Sequence, residues 1–360
     1  MIKILTIVGA RPQFVKAATV SRAIRKLQGI EEVLVHTGQH FDQNMSDVFF
    51  DEMEISKPDH HLNINSLGHG AMTGQMMEGL EKLIIDEKPD AVLIYGDTNS
   101  TLAGAITAKK LHVKVVHVEA GLRSFNIRMP EEVNRILADR ISDILYCPTE
   151  EAKKNLLKEG FDHFDSRIEV IGDVMYDAAL HYAEKSKTSS KIVNELSLKD
   201  YALCTLHRAE NTDDKYKLES ICNALNEIHS ELEVVIPLHP RTKKMLEKFN
   251  LNLNVRLIEP VGYFDMISLL ENCDLVVTDS GGLQKEAYFF KKPCVTMREQ
   301  TEWVELIEAG VNVLTGSDEK LILSSCKEML KKDCSFEAKL YGDGHAADKI
   351  AADLLKTIND

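Results

Sequence analysis

The sequence lacks a long hydrophobic run. None of its 360 residues lies in a stretch approaching the roughly 18 apolar residues that a membrane-spanning helix needs. The apolar start, 1–8, is followed by Arg11 and Lys16 rather than by a small-residue cleavage site, which argues against a signal peptide. We therefore expect a cytoplasmic protein without a membrane partner.

Positive charge is also in deficit. Lys and Arg number 43, Asp and Glu number 57, and the formal net charge is −14. Nucleic acids and anionic membranes select basic surfaces, so this balance argues against both as partners. It does not exclude a small anionic ligand held by a few local cations.

The cysteines show no sign of pairing. The seven of them are odd in number, dispersed and never spaced Cys-x-x-Cys, and several lie inside apolar runs, as Cys147 does. This pattern is typical of reduced, buried thiols and not of disulfides or a zinc site. Histidines and acidic residues show no metal-ligand spacing either, so we expect no metal and no cofactor.

Short apolar runs alternating with longer amphipathic stretches fill the whole chain. The runs are rich in β-branched residues and continuously apolar, which is typical of parallel strands buried on both faces. They lie at 2–8, 32–36, 91–95, 114–118, 143–147 and 168–171, and again at 202–206, 234–238, 255–258, 275–278, 293–297 and 312–315. The pattern predicts two doubly wound α/β domains, and we place their junction near Gly172.

Ligands of open α/β sheets bind beyond the carboxyl ends of the strands, so the residues there are informative. After the first strand, a glycine turn at Gly9 opens a helix that carries Arg11 and Lys16. Backbone N–H groups and two cations in this arrangement suit a phosphate. The turn matches neither a dinucleotide fingerprint nor a Walker loop, and an ordinary βα turn explains it equally well.

Carboxylates follow the strands that come next. Asp97 follows one of them and Glu119, with Arg123 nearby, follows another, where an unpaired charge would be costly. Glu131 and Arg135 lie in the helix after that. The alternatives are a helix cap at Asp97 or Thr98 and a helix ion pair between Glu131 and Arg135. Three carboxylates near arginines are also what a site needs to give and take protons.

The second half repeats this organisation with different residues. His207 and Arg208 follow its first strand and are suited to clamp an anion, while His239 and Arg298 follow later strands. A capped βα turn is one explanation of the stretch that follows the strand ending at residue 278. Alternatively, its Ser-Gly-Gly turn lets backbone amides approach a diphosphate, and Glu286, one turn later, accepts hydrogen bonds from a ribose. The turn consists of Ser280, Gly281 and Gly282.

These motifs resemble, over essentially the entire chain, those of the bacterial and archaeal non-hydrolysing UDP-N-acetylglucosamine 2-epimerases. In order, the matching segments are Gly9–Lys16, Thr37–His40, Gly96–Thr101, His117–Arg123, Pro130–Arg135, His207–Asn211, Thr278–Glu286 and Gly342–Gly344. The resemblance implies an α/β GT-B fold, with two Rossmann-like domains that contain parallel sheets and an interdomain cleft. Residues 1–171 plus 346–360 would form the acid–base and sugar side, and 172–345 the UDP-binding side.

The resemblance also implies a reaction. UDP is eliminated while a base removes the C2 proton, and UDP then adds back to the glycal with protonation of the opposite face. Catalytic roles are implied for Asp97, Glu119, Glu131, Lys16 and His207. Binding roles are assigned to Arg11, Gln13, Arg123, Arg128, Arg135, Arg208, His239, Ser280, Gly281, Gly282, Glu286 and Arg298. Which carboxylate serves which ring face stays open.

Departures from the commoner family pattern resemble one subgroup. Ala10 and Gln13 stand where Thr and Glu are usual, and Trp303 interrupts the usual Thr-Glu-Arg-Pro-Glu motif. Together with Arg128, these resemble epimerases of UDP-2,3-diacetamido-2,3-dideoxy-D-glucuronate, which serve surface polysaccharides such as O-antigen. Gln13 would remove charge repulsion if it faced the substrate carboxylate. Trp303 is equally explained by packing at a domain interface.

The resemblance further implies a homodimer, with UDP and a UDP-sugar as ligands. Three alternatives stay open at this point: a GT-B glycosyltransferase, a hydrolysing 2-epimerase and a non-enzymatic nucleotide-sugar sensor. UDP-N-acetylglucosamine, converted to UDP-N-acetylmannosamine, is the second candidate substrate.

Overall fold

The computed structural model of the chain describes residues 1–39 and 57–358. It divides into two compact units, one formed by Met1–Ala178 with Lys339–Asp360 and the other by Ala179–Ala338. The first division falls inside a helix, later in the chain than the junction predicted near Gly172, and the C-terminal helix belongs to the first unit. No helix in the described ranges is long and apolar enough to cross a bilayer.

The first unit is built on a parallel sheet with the strand order β3-β2-β1-β4-β5-β6-β7. Its strands are β1 (Ile2–Val8), β2 (Ile30–His36), β3 (His60–His61), β4 (Ala91–Tyr95), β5 (Lys114–Val118), β6 (Ile144–Cys147) and β7 (Arg167–Val170). Because the chain leaves β1 in one direction and β4 in the other, the order reverses between these two strands. Such a reversal is where α/β sheets bind ligands.

Helices connect these strands. They are α1 (Arg11–Lys26), α2 (His69–Glu87), α3 (Asn99–Lys110), α4 (Pro130–Ile141), α5 (Glu150–Lys158), the 3₁₀ turn Phe161–His163, α6 (Val174–Ser189), which crosses the division between the units, and the C-terminal α15 (Ala346–Thr357). β1, β4 and β5 are almost wholly buried, which explains why they are continuously apolar in sequence. Leu5, Ile7 and Ile94 pack there with Met76 and Leu80 of α2.

The second unit repeats the plan with the strand order β10-β9-β8-β11-β12-β13, again wholly parallel. Its strands are β8 (Tyr201–Thr205), β9 (Glu233–Pro237), β10 (Arg256–Ile258), β11 (Leu275–Thr278), β12 (Cys294–Thr296) and β13 (Asn312–Leu314). Here the order reverses between β8 and β11. The prediction of two parallel, doubly wound sheets is thus confirmed.

The helices of the second unit complete the set. They are α7 (Ile192–Glu195), α8 (Ala209–Thr212), α9 (Lys215–Glu231), α10 (Pro240–Phe249), α11 (Tyr263–Asn272), α12 (Gly281–Phe289), α13 (Val304–Glu308) and α14 (Glu319–Lys331). Ile221 and Leu225 of α9 pack with Ile322 of α14 and with the apolar side chains of the sheet. This core fixes the strand ends that carry the polar residues.

Candidate active site

At the end of β1, Gly9 and Gln13 form a closely packed turn. A Cβ on Gly9 would overlap the hydroxyl oxygens of Ser100 and Thr37, so only glycine fits. The side-chain amide oxygen of Gln13 accepts from the backbone N–H groups of Gly9 (2.8 Å) and Ala10 (3.0 Å). The side chain of Arg11 and the motif residue His40 lie outside what the structure describes.

Gln13 is committed to this turn rather than to a ligand. Its side-chain amide nitrogen donates to the Tyr95 backbone carbonyl (2.7 Å) and to the Thr101 hydroxyl (3.0 Å), and the residue is 1% exposed. A glutamate there would have no hydrogen to donate to the Tyr95 carbonyl. The structure therefore corrects the prediction that Gln13 binds substrate or faces its carboxylate.

Lys16 and Glu119 meet at the carboxyl ends of β1 and β5. The Lys16 ammonium forms an ion pair with the Glu119 carboxylate, and both side chains retain about a tenth of their exposure. Glu119 has a φ of +70°, a left-handed conformation that is strained for a glutamate. Its backbone N–H donates to the Tyr146 carbonyl (3.1 Å), which helps to hold the strained residue in place. Strain of this kind clusters at functional sites.

Asp97 lies one strand away and is also paired with a cation. Its carboxylate accepts from the Arg135 guanidinium and keeps 31% of its side-chain exposure. Asn134 donates to the Asp97 backbone carbonyl (3.0 Å). Thr98, not Asp97, caps α3 by accepting from the Thr101 N–H. The alternative of a helix cap at Asp97 or Thr98 is therefore confirmed for Thr98, and Asp97 is not the cap.

Two consecutive glutamates of α4 have opposite environments. Glu131 is exposed, whereas Glu132 is buried and pairs with Arg135 at 2.8 Å. The predicted helix ion pair of Arg135 is hence made by Glu132 and not by Glu131. Arg128, in the loop before α4, is exposed.

Arg123 serves the interior of the first unit. It is 3% exposed and its guanidinium donates to Asp139 (2.7 Å) and to Glu159 (2.7 and 2.8 Å). Burial alone would raise the pKa of Asp139, but the hydrogen bond from His117 and the charge of Arg123 outweigh it and hold the pKa below its ordinary value. The structure therefore corrects the assignment of Arg123 to the substrate.

His117 connects Asp139 to the turn that carries Asp97. Its Nδ1 lies 2.7 Å from the Asp139 carboxylate and its Nε2 lies 2.7 Å from the Gly96 carbonyl. The ring therefore links the Asp139 carboxylate to the backbone of the turn at Gly96. This buried row of Arg123, Asp139 and His117 supports the catalytic candidates from below.

In the second unit, Asp279 organises the end of β8. Its buried carboxylate accepts from the backbone N–H groups of His207 (3.0 Å) and Arg208 (2.8 Å), and the His207 ring lies 3.2 Å away. Burial alone would raise the pKa of Asp279, but these hydrogen bonds hold it below its ordinary value. Asp279 was not among the predicted site residues, although an aspartate between a buried strand and a Ser-Gly-Gly turn was a usable signal.

The two histidines of this unit lie together. The rings of His207 and His239 are 5.6 Å apart between centroids. His207 is partly exposed on the side away from Asp279, and His239 is exposed and caps α10 by accepting from the Arg241 N–H. Partial burial, then the neighbouring His207 and Arg241, lower the pKa of His239.

The Ser-Gly-Gly turn begins α12. Ser280 caps the helix by accepting from Leu283 N–H. A Cβ on Gly281 would lie 2.5 Å from a Glu302 carboxylate oxygen and 3.5 Å from the guanidinium nitrogens of both Arg208 and Arg298. A helix N-terminus flanked by two arginines is suited to a diphosphate. Gly282 is exposed, and Glu286 is half-buried one turn into the helix.

Trp303 braces this turn. The indole N–H donates to the Gly281 carbonyl (3.0 Å), and the Lys285 ammonium lies 4.1 Å from the ring centroid. Arg298 and Glu302 form a 3.0 Å ion pair beside them, with both side chains largely buried. Trp303 thus belongs to the packing of the second unit around its anion-binding turn.

The comparisons with known proteins decide the family. The family model described as UDP-N-acetylglucosamine 2-epimerase matches residues 22–355. The chain belongs to the UDP-N-acetylglucosamine 2-epimerase family. It is accordingly an isomerase of the UDP-sugar 2-epimerase class.

Individual relatives agree over their whole length. The chain is 54% identical to the UDP-2,3-diacetamido-2,3-dideoxy-D-glucuronate 2-epimerase of Pseudomonas aeruginosa, covering 98% of this chain and 99% of the relative. It is 44% identical to a UDP-N-acetylglucosamine 2-epimerase of Methanococcus maripaludis, covering 96% of each. Both names describe inversion at C2 of a UDP-sugar.

Solved structures match the fold. The Methanocaldococcus jannaschii UDP-GlcNAc 2-epimerase in complex with UDP-GlcNAc and UDP superposes with a TM-score of 0.89 at 41% identity, covering 99% of this chain and 100% of the other. A Rickettsia africae glycosyltransferase matches with a TM-score of 0.59 at 15% identity, covering 100% and 99%, which shows a shared fold alone. The GT-B-like architecture expected from the sequence is confirmed.

Proposed function

We propose that this epimerase inverts C2 of UDP-2,3-diacetamido-2,3-dideoxy-D-glucuronate, from the gluco to the manno configuration, without net hydrolysis. The observation that carries the proposal is the pair of cation-bound carboxylates, Asp97 and Glu119, at the ends of the neighbouring strands β4 and β5. The 54% identity to a relative named for this substrate supports the choice of sugar.

The reaction needs an acid and a base. A carboxylate takes the C2 proton while the C1–O bond breaks and UDP leaves with the electron pair, giving a C1=C2 glycal. The UDP oxygen then re-forms the bond to C1, and a protonated carboxyl group delivers a proton to the opposite face of C2. We assign these exchanges to Asp97 and Glu119, with Glu131 as the third candidate. Lys16 and Arg135 keep the carboxylates oriented.

The leaving group needs stabilisation of negative charge. The second unit supplies it with the N-terminus of α12 at Ser280 and Gly281 and with the flanking Arg208 and Arg298. The partly exposed His207 ring, held by Asp279, contacts the diphosphate in this proposal, together with Arg11, and Glu286 binds the ribose. In this proposal the first unit transfers the protons, and most of the diphosphate ligands belong to the second unit, with Arg11 of the first unit in addition.

The substrate carboxylate requires a cation of its own. Arg128 is exposed in the loop before α4 and is suited to bind it, because arginine matches the planar geometry of a carboxylate. Since Gln13 is committed to the turn after β1, it contributes nothing to this choice. The preference for the acidic sugar in our proposal therefore depends on Arg128 rather than on Gln13.

Turnover of both UDP-sugars in deuterated water tests the proposal. We expect deuterium at C2, no accumulation of free UDP, and a kcat/KM at least about 100-fold higher for the diacetamido-glucuronate than for UDP-N-acetylglucosamine. Arg128→Gln should reduce that preference. Efficient use of UDP-N-acetylglucosamine alone would overturn the substrate assignment, and stoichiometric free UDP would identify a hydrolysing enzyme. A glycosyltransferase would have no reason to exchange the C2 proton without an acceptor.

The cellular setting follows from the same reasoning. The product is a precursor for surface polysaccharides such as O-antigen, and we propose that the enzyme works as a homodimer in the cytoplasm, as its resemblance to the family implies. Light scattering of the purified chain tests the dimer.

A further inference from the structure

Glu132 is the most completely hydrogen-bonded carboxylate beside the candidate acid–base residues. It is 1% exposed. One carboxylate oxygen accepts from Ser124 N–H (2.9 Å), the Ser124 hydroxyl (2.9 Å) and Arg135 (2.8 Å), and the other accepts from Phe125 N–H (2.9 Å). Its neighbour Glu131 is exposed because successive residues of a helix point about 100° apart.

Arg135 links Glu132 to Asp97. One terminal nitrogen of the guanidinium donates to Glu132, and the other donates to the Asp97 carboxylate. Arg135 is itself buried, so its planar group bridges the two carboxylates in one orientation. Glu132 therefore sets the direction from which Arg135 reaches Asp97.

Glu132 also fixes the loop before α4. Phe125 has a φ of +57° and a side chain that is 76% exposed, and Ile127 is 68% exposed. Left-handed backbone at a bulky residue is strained and persists only where the surroundings hold it. The bonds from Ser124 and Phe125 to Glu132 supply that restraint, and the same loop carries Arg128.

We infer that Glu132 is a positioning residue for the epimerisation. It acts through Arg135 on Asp97 and through the loop 124–129 on the placement of Arg128. The inference rests on the proposed function, in which Asp97 moves a proton and Arg128 binds the substrate carboxylate. Glu132 touches neither the sugar nor the diphosphate in this role.

Glu132→Gln is the test. The amide has an NH₂ group in place of one carboxylate oxygen, and this group would face the N–H or O–H donors that now bind Glu132. At least one of the bonds to Ser124, Phe125 or Arg135 is therefore lost. A displacement of about 1 Å at a reacting group costs on the order of 100-fold, so we expect kcat to fall about 10- to 100-fold. KM for the diacetamido-glucuronate should rise several-fold, while the affinity for UDP alone stays within about twofold.

A matched control separates positioning from loss of stability. Asp353 of α15 accepts from the Tyr146 hydroxyl (2.5 Å) and pairs with Arg167, whereas Glu119 is bonded to the backbone carbonyl of Tyr146 and not to its side chain. Asp353→Asn should lower the unfolding midpoint while kcat stays within about twofold. If Glu132→Gln reduced kcat no more than Asp353→Asn does at equal loss of thermal stability, Glu132 would be structural only.

A double-mutant cycle with Arg135→Lys identifies the route. Lysine cannot bridge both carboxylates as the planar guanidinium does. If Glu132 acts through Arg135, then Glu132→Gln should lower kcat by less than about threefold in the Arg135→Lys background. If Glu132→Gln lowered kcat by the same factor in the Arg135→Lys background as in the wild type, the inference would be overturned.

The wild-type chain distinguishes the two levels of failure. C2 deuterium exchange by the wild type, with an unchanged kcat in Glu132→Gln, would refute the role of Glu132 and leave the proposed function standing. A folded, UDP-binding wild type that exchanges no C2 proton on either sugar would refute both.

Discussion

The two units share a strand plan but equip their strand ends with different chemistry. Each sheet is parallel and reverses its order once, between β1 and β4 in the first unit and between β8 and β11 in the second. At the first reversal, carboxylates of partial exposure are paired with Lys16 and Arg135. At the second, a glycine turn and two arginines surround a helix N-terminus. One fold thus supports proton transfer or anion binding according to the residues that follow its strands.

Each unit also buries one aspartate beneath its site, and the stabilising partners differ. Asp139 is held by the side chains of His117 and Arg123, whereas Asp279 is held mainly by the His207 ring and by two backbone N–H groups. The pKa lies below its ordinary value in both. When the aspartate is removed, a buried charged side chain such as Arg123 loses a counter-charge, whereas each backbone N–H group loses only a hydrogen-bond acceptor. We therefore expect replacement of Asp139 to lower the free energy of unfolding more than replacement of Asp279.

Asp97→Asn and Glu119→Gln should have the largest effect. In the proposed function each removes one acid–base group of the first unit, and general acid–base catalysis contributes roughly 10²- to 10⁴-fold, so kcat should fall by about that factor. The affinity for UDP should persist, because neither carboxylate is among its candidate ligands, most of which lie in the second unit. Calorimetric titration of UDP alongside kinetic assays checks both. Loss of UDP binding together with kcat would show that the division of labour between the units is wrong.

Asp139→Asn should be next in size. It removes the buried carboxylate that His117 and Arg123 share and leaves Arg123 with Glu159 as its remaining ion-pair partner, at a cost to the free energy of unfolding of about 3 kcal/mol. Asp279→Asn should cost about 1–2 kcal/mol, because most of its partners are neutral amides. Urea unfolding followed by circular dichroism measures both variants at neutral pH. Equal losses would contradict the distinction between the two aspartates.

The effect of Asp139 should depend on pH with a defined sign. Its folded-state pKa lies below the unfolded value, so its stabilisation is fully present above about pH 4 and disappears as the pH falls through the folded-state pKa. The difference in the free energy of unfolding between the wild type and Asp139→Asn should therefore become smaller as the pH is lowered below about 4.

Gly281→Ala should act only on the second unit, with an effect comparable in size to that of Asp279→Asn. The added methyl group would meet the Glu302 carboxylate, and overpacking of this kind costs about 1–3 kcal/mol, so UDP should bind about 10- to 100-fold more weakly. Gly74→Ala is the control, since a Cβ there meets nothing within 4 Å and lies in α2. An undiminished UDP affinity in Gly281→Ala would remove the turn from the binding site.

The fold was readable from the sequence because buried parallel strands are continuously apolar. β1, β4, β5 and β11 begin and end where the pattern predicts them. The two-residue strand His60–His61 was missed because it is short and polar. Its pairing with β2 depends on neighbours that no local pattern encodes.

The candidate site residues were chosen from their positions at strand ends, but their bonding partners could not be predicted in the same way. Gln13 reaches a carbonyl of β4, 82 residues away in sequence, and Arg123 reaches Glu159, so neither contact has a local signal. Glu131 and Glu132 are successive residues of one helix, and the sequence alone does not show which of the two side chains contacts Arg135. Motif spacing therefore locates the strand ends, and long-range packing decides which side chains stay available there.

Trp303 gives the second unit a built-in optical reporter. It is the one tryptophan of the chain, and its indole N–H is bonded to the backbone of the turn at Gly281. Indole emission responds to the local electric field and to the polarity around the ring, so a doubly charged ligand arriving at Ser280 should change its intensity and colour. Nucleotide occupancy of this unit is thus measurable in the unlabelled enzyme, independently of whether the sugar chemistry proceeds.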